Sequence, residues 1–120
     1  MYQIDFHHPV RVFFVGIGGI SMSGLARILA SEGFTVSGSD RNASGITEDL
    51  EESGIHVCIG QRAENVTDDL DLAVFTAAIH PDNPEYIAVR QKGIPSLTRA
   101  ELLGQLMRRY NYLPLITDDQ

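Results

Sequence analysis

The chain of 120 residues holds a single cysteine, and only nine basic residues stand against sixteen acidic ones, for a formal net charge of −7. One cysteine excludes an internal disulfide. Cys58 stands in the apolar run His56-Val57-Cys58-Ile59 and reads as a small core residue rather than a nucleophile. The few bases form no cluster, which excludes the phosphate-backbone footprint of a nucleic-acid binder. An anionic ligand would be held by local backbone dipoles against the overall field. No stretch approaches the roughly 18 to 20 apolar residues of a membrane span, and Met1 to His8 holds no apolar signal core. The expected location is therefore the cytoplasm, without a membrane partner. His7 and His8 lack further ligands at suitable spacing, so no metal site is expected. There is no internal repeat, low-complexity tract or linker, and the length suits one domain.

What is present is organised around Val15-Gly16-Ile17-Gly18-Gly19-Ile20-Ser21-Met22-Ser23-Gly24, where an apolar run breaks into glycines and resumes as Leu25-Ala26-Arg27-Ile28-Leu29 with helical spacing. The pattern predicts a strand, a tight turn and a helix. Gly16 and Gly18 let the backbone turn without a Cβ clash and leave room for a ligand oxygen to reach peptide N–H groups. The first N–H groups of the helix lack intrahelical partners, and its dipole adds about half a positive charge there, so the stretch is suited to phosphate. Against the dinucleotide fingerprint G-x-G-x-x-G the chain reads Gly16-Ile17-Gly18-Gly19-Ile20-Ser21, with serine at the third glycine. Asp40 follows the next predicted strand, about 24 residues after Gly16, near the expected offset of about 20. Both features have a plainer reading. The loop can be a glycine-rich turn without a ligand, and Asp40 can be a turn or capping residue before Asn42-Ala43-Ser44-Gly45. A carboxylate that bridges ribose hydroxyls is the preferred role for Asp40.

Val10–Val15 predicts a first strand, apolar apart from Arg11, as for a parallel strand covered on both faces. A helix over about Ile20–Glu32 follows, ended by Gly33, then a strand over Phe34–Ser39, a short acidic helix over Ile46–Ser53 and a third strand over Ile55–Ile59. The polar connection Gly60–Asn65 leaves that strand at the sheet's carboxyl edge, where Gln61 either reaches a ligand or is an ordinary surface residue. Asp71–Thr76 is the fourth strand. After it, Ala77-Ala78-Ile79-His80-Pro81 crosses the same edge as one wall of a crevice, with His80 at its tip as a bystander rather than a catalyst. Asn83 before Pro84 marks a helix start. The helix runs over Tyr86–Lys92, Gly93 ends it, and Ile94–Leu97 is a fifth strand. Thr98-Arg99-Ala100-Glu101 fits a capping box, launching an amphipathic helix with Leu102, Leu103, Leu106 and Met107 toward the sheet. Tyr112–Ile116 is a candidate sixth strand. The order predicts a single α/β domain of three layers, a Rossmann-like doubly wound parallel sheet of order 3-2-1-4-5-6 with right-handed crossovers.

Four stretches together are more specific than one glycine loop: Gly16 to Ala26, Val36-Ser37-Gly38-Ser39-Asp40, Ala78-Ile79-His80-Pro81-Asp82-Asn83-Pro84-Glu85, and Arg99-Ala100-Glu101-Leu102-Leu103. In collinear order, over nearly the whole chain, they resemble the amino-terminal domain of the UDP-N-acetylmuramate:L-alanine ligases of the Mur ligase family. The resemblance implies a cytoplasmic step of peptidoglycan synthesis in which ATP phosphorylates the muramyl carboxylate and L-alanine attacks the acyl phosphate. In that family the first domain holds the UDP portion, a central domain holds ATP and magnesium, and a third contributes to amino-acid binding. Residues 1–120 would be the first domain alone, with UDP-N-acetylmuramate and the missing central domain of the same polypeptide as partners and no cofactor of its own. The family's phosphate loop, G-T-H-G-K-T, should begin just beyond the last predicted strand, where the chain reads Leu115-Ile116-Thr117-Asp118-Asp119-Gln120. The piece is therefore expected to bind uridine nucleotide and to be inert alone.

Carried over by position, Gly16, Gly18 and Gly19, with the N–H groups of Ile20, Ser21, Met22 and Ser23, match the family's diphosphate loop. Asp40 matches the carboxylate that faces the ribose, and Thr76, Ala77, Ala78, Ile79 and His80 match the wall near the nucleotide. The family often has histidine at Gln61 and glycine at Ser21; Ser21 would either donate its hydroxyl to phosphate or crowd the helix against the strand. Two other uses of the same fold stay open. One is an NAD-binding domain of an oxidoreductase or redox sensor, with Asp40 disfavouring a 2′-phosphate. The other is a non-catalytic sensor or a ligase that recycles murein peptides.

Overall fold

The structure, a computed structural model, describes residues 1–110. Five strands, β1 (Arg11–Val15), β2 (Thr35–Asp40), β3 (His56–Ile59), β4 (Leu72–Phe75) and β5 (Ser96–Thr98), form one parallel sheet in the order β3-β2-β1-β4-β5. The helices are α1 (Ile20–Ser31), α2 (Gly45–Glu52), α3 (Pro84–Gln91) and α4 (Arg99–Tyr110), with a short 3-10 turn at Ala63–Asn65. The first five strands thus stand in the expected order. The expected sixth strand, Tyr112–Ile116, lies outside the described residues.

The apolar run of β1 is continuous because the strand is central and covered twice. Val12 and Phe14 pack with Leu25, Leu29, Leu50, Leu102 and Leu106 on the face carrying α1, α2 and α4, whereas Phe13 and Val15 pack with Val66, Ala88 and Val89 on the face carrying α3. Steps from β1 toward β3 use one face and the step from β4 to β5 uses the other, as a single hand of crossover requires. One more outward step of that hand would set α4 beside α3. Instead α4 lies in the α1 layer.

Local chemistry sets the helix starts. Ser44 and Thr47 cap α2 reciprocally, Asn83 accepts from the N–H groups of Glu85 and Tyr86 ahead of α3, and Thr98 and Glu101 exchange the two bonds of the expected capping box at α4. Two sequence expectations are corrected. Leu102 and Leu106 are buried on α4, but Leu103 and Met107 do not face the sheet; Met107 is 61% exposed. The helix is turned because buried Gln105 reaches inward, accepting from the Ile4 N–H at 2.9 Å and donating to the Tyr2 carbonyl at 2.7 Å. Cys58 is half-buried rather than in the core, because β3 is an edge strand. Burial pushes its thiol pKa up, and the Glu85 and Glu51 charges add to that, which keeps it protonated and unreactive at neutral pH.

Candidate functional site

The strand order reverses between β1 and β4, and the crevice at their carboxyl ends is where open α/β sheets bind ligands. β1 delivers the glycine turn. Gly16 takes φ +83°, which an L side chain resists, and its N–H and that of Ile17 both donate to the Ser39 carbonyl at 2.8 Å, stitching the turn to the end of β2. The Gly18 N–H donates to Asp40 Oδ2 at 2.9 Å, so the carboxylate that ends β2 holds the loop. Asp40 Oδ1 also accepts from the Asn42 N–H at 3.3 Å, which is the turn-type role weighed against ribose binding. A carboxylate has about four acceptor positions, so both roles fit one side chain.

Gly18 is required by this contact: a Cβ there would lie 2.6 Å from Asp40 Oδ2 and 3.1 Å from Thr47 Cγ2. Gly38 on β2 meets a stricter limit, with a Cβ 2.5 Å from the Phe14 carbonyl oxygen and 2.7 Å from Ile17 Cβ. The close approach of strand and turn is therefore at Gly38. Ser21, at the fingerprint's third glycine, is exposed and crowds nothing; its hydroxyl receives the Arg99 guanidinium at 3.3 Å.

Helix α1 begins without a side-chain cap and without an acidic residue in its first turn. Among the described residues, the N–H groups of Ile20, Ser21 and Met22 have no hydrogen-bond partner. Ser23 differs from the expectation. Its N–H donates to the Gly19 carbonyl at 2.8 Å and its hydroxyl to the Ile20 carbonyl at 3.0 Å, because it is already one turn into the helix. Unpartnered donors at the positive end of a helix are a general anion-binding feature, and this twelve-residue helix presents three.

Beside this turn lies a cleft of about 440 Å³ that brings together Gly16, Asp40, Gln61, Thr76, Ala78, Ile79 and His80 from four separate stretches. Ala77 is exposed in the same turn but does not line it, and of the expected diphosphate loop only Gly16 does; Gly18, Gly19, Ile20, Ser21, Met22 and Ser23 do not. The wall is held by the Ile79 N–H on the Thr76 carbonyl, and Gln61 by the Asn83 amide at 2.8 Å. His80 is exposed, with its Nδ1 2.5 Å from Asp82 Oδ1. A larger groove of about 640 Å³ between α1 and α4, lined by Leu25, Ile28, Leu103, Leu106, Met107 and Tyr110, lies on the helix layer away from the strand ends and offers one cation, Arg108.

Two residues at the cleft escaped sequence reasoning. Arg41 lines it and has no ion-pair partner among the described residues; its place directly after Asp40 at the end of β2 was the available signal. Glu85 is wholly buried beneath the wall, accepting from Ser39 Oγ, Asn65 Nδ2 and the Arg62 N–H. No sequence signal separates it from an ordinary first-turn carboxylate.

The sheet, its switch-point crevice and the uncapped helix above it define a doubly wound α/β domain of the Rossmann-like class. The model of the Mur ligase family, catalytic domain, matches residues 11–111, and the chain belongs to the Mur ligase family. It is 59% identical over 110 residues to the UDP-N-acetylmuramate–L-alanine ligase of Lachnospira eligens, covering 92% of this chain and 24% of that protein. The UDP-N-acetylmuramate-alanine ligase of Thermotoga maritima superposes with a TM-score of 0.80 at 34% identity, over 83% of this chain and 23% of that one. The UDP-N-acetylmuramate:L-alanyl-gamma-D-glutamyl-meso-diaminopimelate ligase of Neisseria meningitides does so with 0.78 at 26% identity, over 88% and 33%. The chain spans about a quarter of the length of the curated relatives it matches.

Proposed function

We propose that residues 1–120 are the amino-terminal, UDP-N-acetylmuramate-binding domain of a UDP-N-acetylmuramate:L-alanine ligase of peptidoglycan synthesis. The observation that supports this reading is the set of three unpartnered N–H groups at the start of α1, which follows a glycine turn whose Gly16 lines a cleft with Asp40 and the 76–80 wall. The diphosphate would accept from Ile20, Ser21 and Met22, with Arg41 adding charge at the rim. The second oxygen of Asp40 would accept from ribose, and Gln61, Thr76, Ala78, Ile79 and His80 would flank the rest of the nucleotide. The higher identity to L-alanine ligases supports L-alanine over a murein peptide as the amine that the parent enzyme joins to UDP-N-acetylmuramate, the nucleotide sugar that both kinds of ligase are named for.

ATP and magnesium are assigned in this reading to the polypeptide outside these residues. The chain has one lysine, Lys92, at the end of α3 and paired with Asp68, and no G-x-x-x-x-G-K-[ST] stretch. Among the described residues no three His, Cys, Asp or Glu side chains are grouped to hold a metal, and no helix is long and apolar enough to cross a membrane. The nucleotide-handling chemistry of such a ligase would be supplied by the polypeptide beyond this domain.

Thermal shifts with UDP-N-acetylmuramate, UDP-N-acetylglucosamine, NAD and NADP test the reading. UDP-N-acetylmuramate should raise the melting point most, by the equivalent of about 2.7 kcal/mol at a hundredfold excess over Kd. A shift with NAD alone would replace this reading with the oxidoreductase one.

A further inference from the structure

Glu85 is a buried carboxylate with 0% exposure and no cationic side chain within ion-pair distance among the described residues. Such a group is costly to bury unless its oxygens are hydrogen-bonded. Both of them are. One oxygen accepts from Ser39 Oγ; the other accepts from Asn65 Nδ2 at 2.7 Å and from the Arg62 N–H at 3.2 Å. The residue also sits in the first turn of α3, where the helix dipole favours negative charge.

The partners are what make the placement informative. The Ser39 carbonyl carries the N–H groups of Gly16 and Ile17, so the hydroxyl end of the same residue ties the glycine turn to Glu85. Asn65 spends its second amide hydrogen on the Gly60 carbonyl at 2.8 Å, and the neighbouring Asn83 amide holds Gln61. The start of α3 therefore clamps the connection from Gly60 to Asn65 at several points and joins it to the end of β2. An apolar side chain would fill the same space without ordering either loop.

We infer that Glu85 is a positioning residue of the cleft: through Ser39 it fixes the glycine turn, and through Arg62 and Asn65 it fixes the wall that carries Gln61. The link to ligand binding rests on the UDP-sugar reading above. Glutamine at this position can keep the arrangement, with its oxygen toward Arg62 and Asn65 and its NH2 group toward a Ser39 hydroxyl that turns to accept.

The test uses the 120-residue chain as Glu85→Ala, Glu85→Gln and Asn65→Ala. Without ligand, amide hydrogen exchange at Gly16–Ile17 and Gly60–Asn65 should quicken about tenfold in Glu85→Ala, the order of one hydrogen bond to a charged group. The β4 amides should not change, and Glu85→Gln should restore the parent pattern. Asn65→Ala, which loses the bonds to Glu85 and to the Gly60 carbonyl but leaves the Ser39–Glu85 bond in place, should quicken only the Gly60–Asn65 segment, and it decides the matter if Glu85→Ala does not fold. With UDP-N-acetylmuramate, Kd should rise about tenfold in Glu85→Ala and stay within about threefold in Glu85→Gln. Unchanged exchange at both loops, equal loosening of β4, or failure of glutamine to rescue overturns the inference. A parent chain that binds no UDP-sugar overturns the nucleotide reading instead, while the exchange result still decides whether Glu85 orders the cleft.

Discussion

Replacing Gly38 and Gly18 in turn by alanine separates the glycine that the fold needs from the one that the cleft needs. At Gly38 the new Cβ would stand 2.5 Å from the Phe14 carbonyl oxygen. That oxygen is backbone of the central strand, held in register between β2 and β4, and the other blocking atoms belong to fully buried Ile17. Overpacking costs about 1 to 3 kcal/mol where side chains can give; here backbone must give, so the cost should reach about 3 kcal/mol. At roughly 4 °C per kcal/mol for a domain of this size, the melting point should fall by about 12 °C. At Gly18 the blocking atom is a carboxylate oxygen at 2.6 Å on half-buried Asp40, which can swing outward. The loss is the bond from the Gly18 N–H, partly replaced by water, or about 1 kcal/mol and about 4 °C. Nucleotide affinity should show the opposite order per degree lost, because Gly18→Ala displaces the Asp40 carboxylate, whereas Gly38→Ala presses on the Phe14 carbonyl and buried Ile17. Thermal melts by circular dichroism, with UDP-N-acetylmuramate titrations on the folded variants, check both. A Gly38→Ala melt within about 3 °C of the parent, or a Gly18→Ala melt below it, would refute the packing argument.

Arg41→Ala should weaken UDP-N-acetylmuramate binding about two- to fivefold at low salt and flatten its salt dependence, as expected for one exposed charge; isothermal titration at two ionic strengths measures this. Hydrogen bonds from Tyr110 and then Arg109 hold the Glu32 carboxyl below the usual carboxylate range, and the same bond raises the Tyr110 phenol. The Glu32 contribution is therefore present above the unfolded carboxylate pKa and is lost as pH falls through the lowered folded value. The Tyr110 contribution is present below the ordinary phenol pKa and is lost as pH rises through the raised one. Glu32→Gln should flatten the melting-point profile at both ends, and an unchanged acid limb would refute the link between α1 and α4. A polypeptide of residues 1–120 given UDP-N-acetylmuramate, ATP, magnesium and L-alanine should release no phosphate; measurable turnover would overturn the division of labour proposed for this domain.

Much of the architecture was legible because it depends on local chemistry. The apolar run of β1, the glycines after it, the Asn83-Pro84 start and the Thr98–Glu101 capping box each act within a few residues, so strand order and helix starts follow from spacing alone. The turn, the helix dipole and the edge of the sheet that bears the cleft belong to the same class of information. What the sequence could not convey depends on atoms brought together from distant parts of the chain. Glu85 and Ser39 are 46 residues apart, and Gln105 lies 101 residues from Ile4, yet these pairings decide which carboxylate is buried and which face of α4 turns outward. The Ser23 N–H is spent for a smaller reason of the same kind, since whether an N–H is free depends on the position of the first helical carbonyl. The sequence by itself determined the sheet, the glycine turn between β1 and α1 and the family. Tertiary structure decided which donors stay unspent and what holds the walls around them, because hydrogen-bond satisfaction inside a protein is settled only when every neighbour is in place.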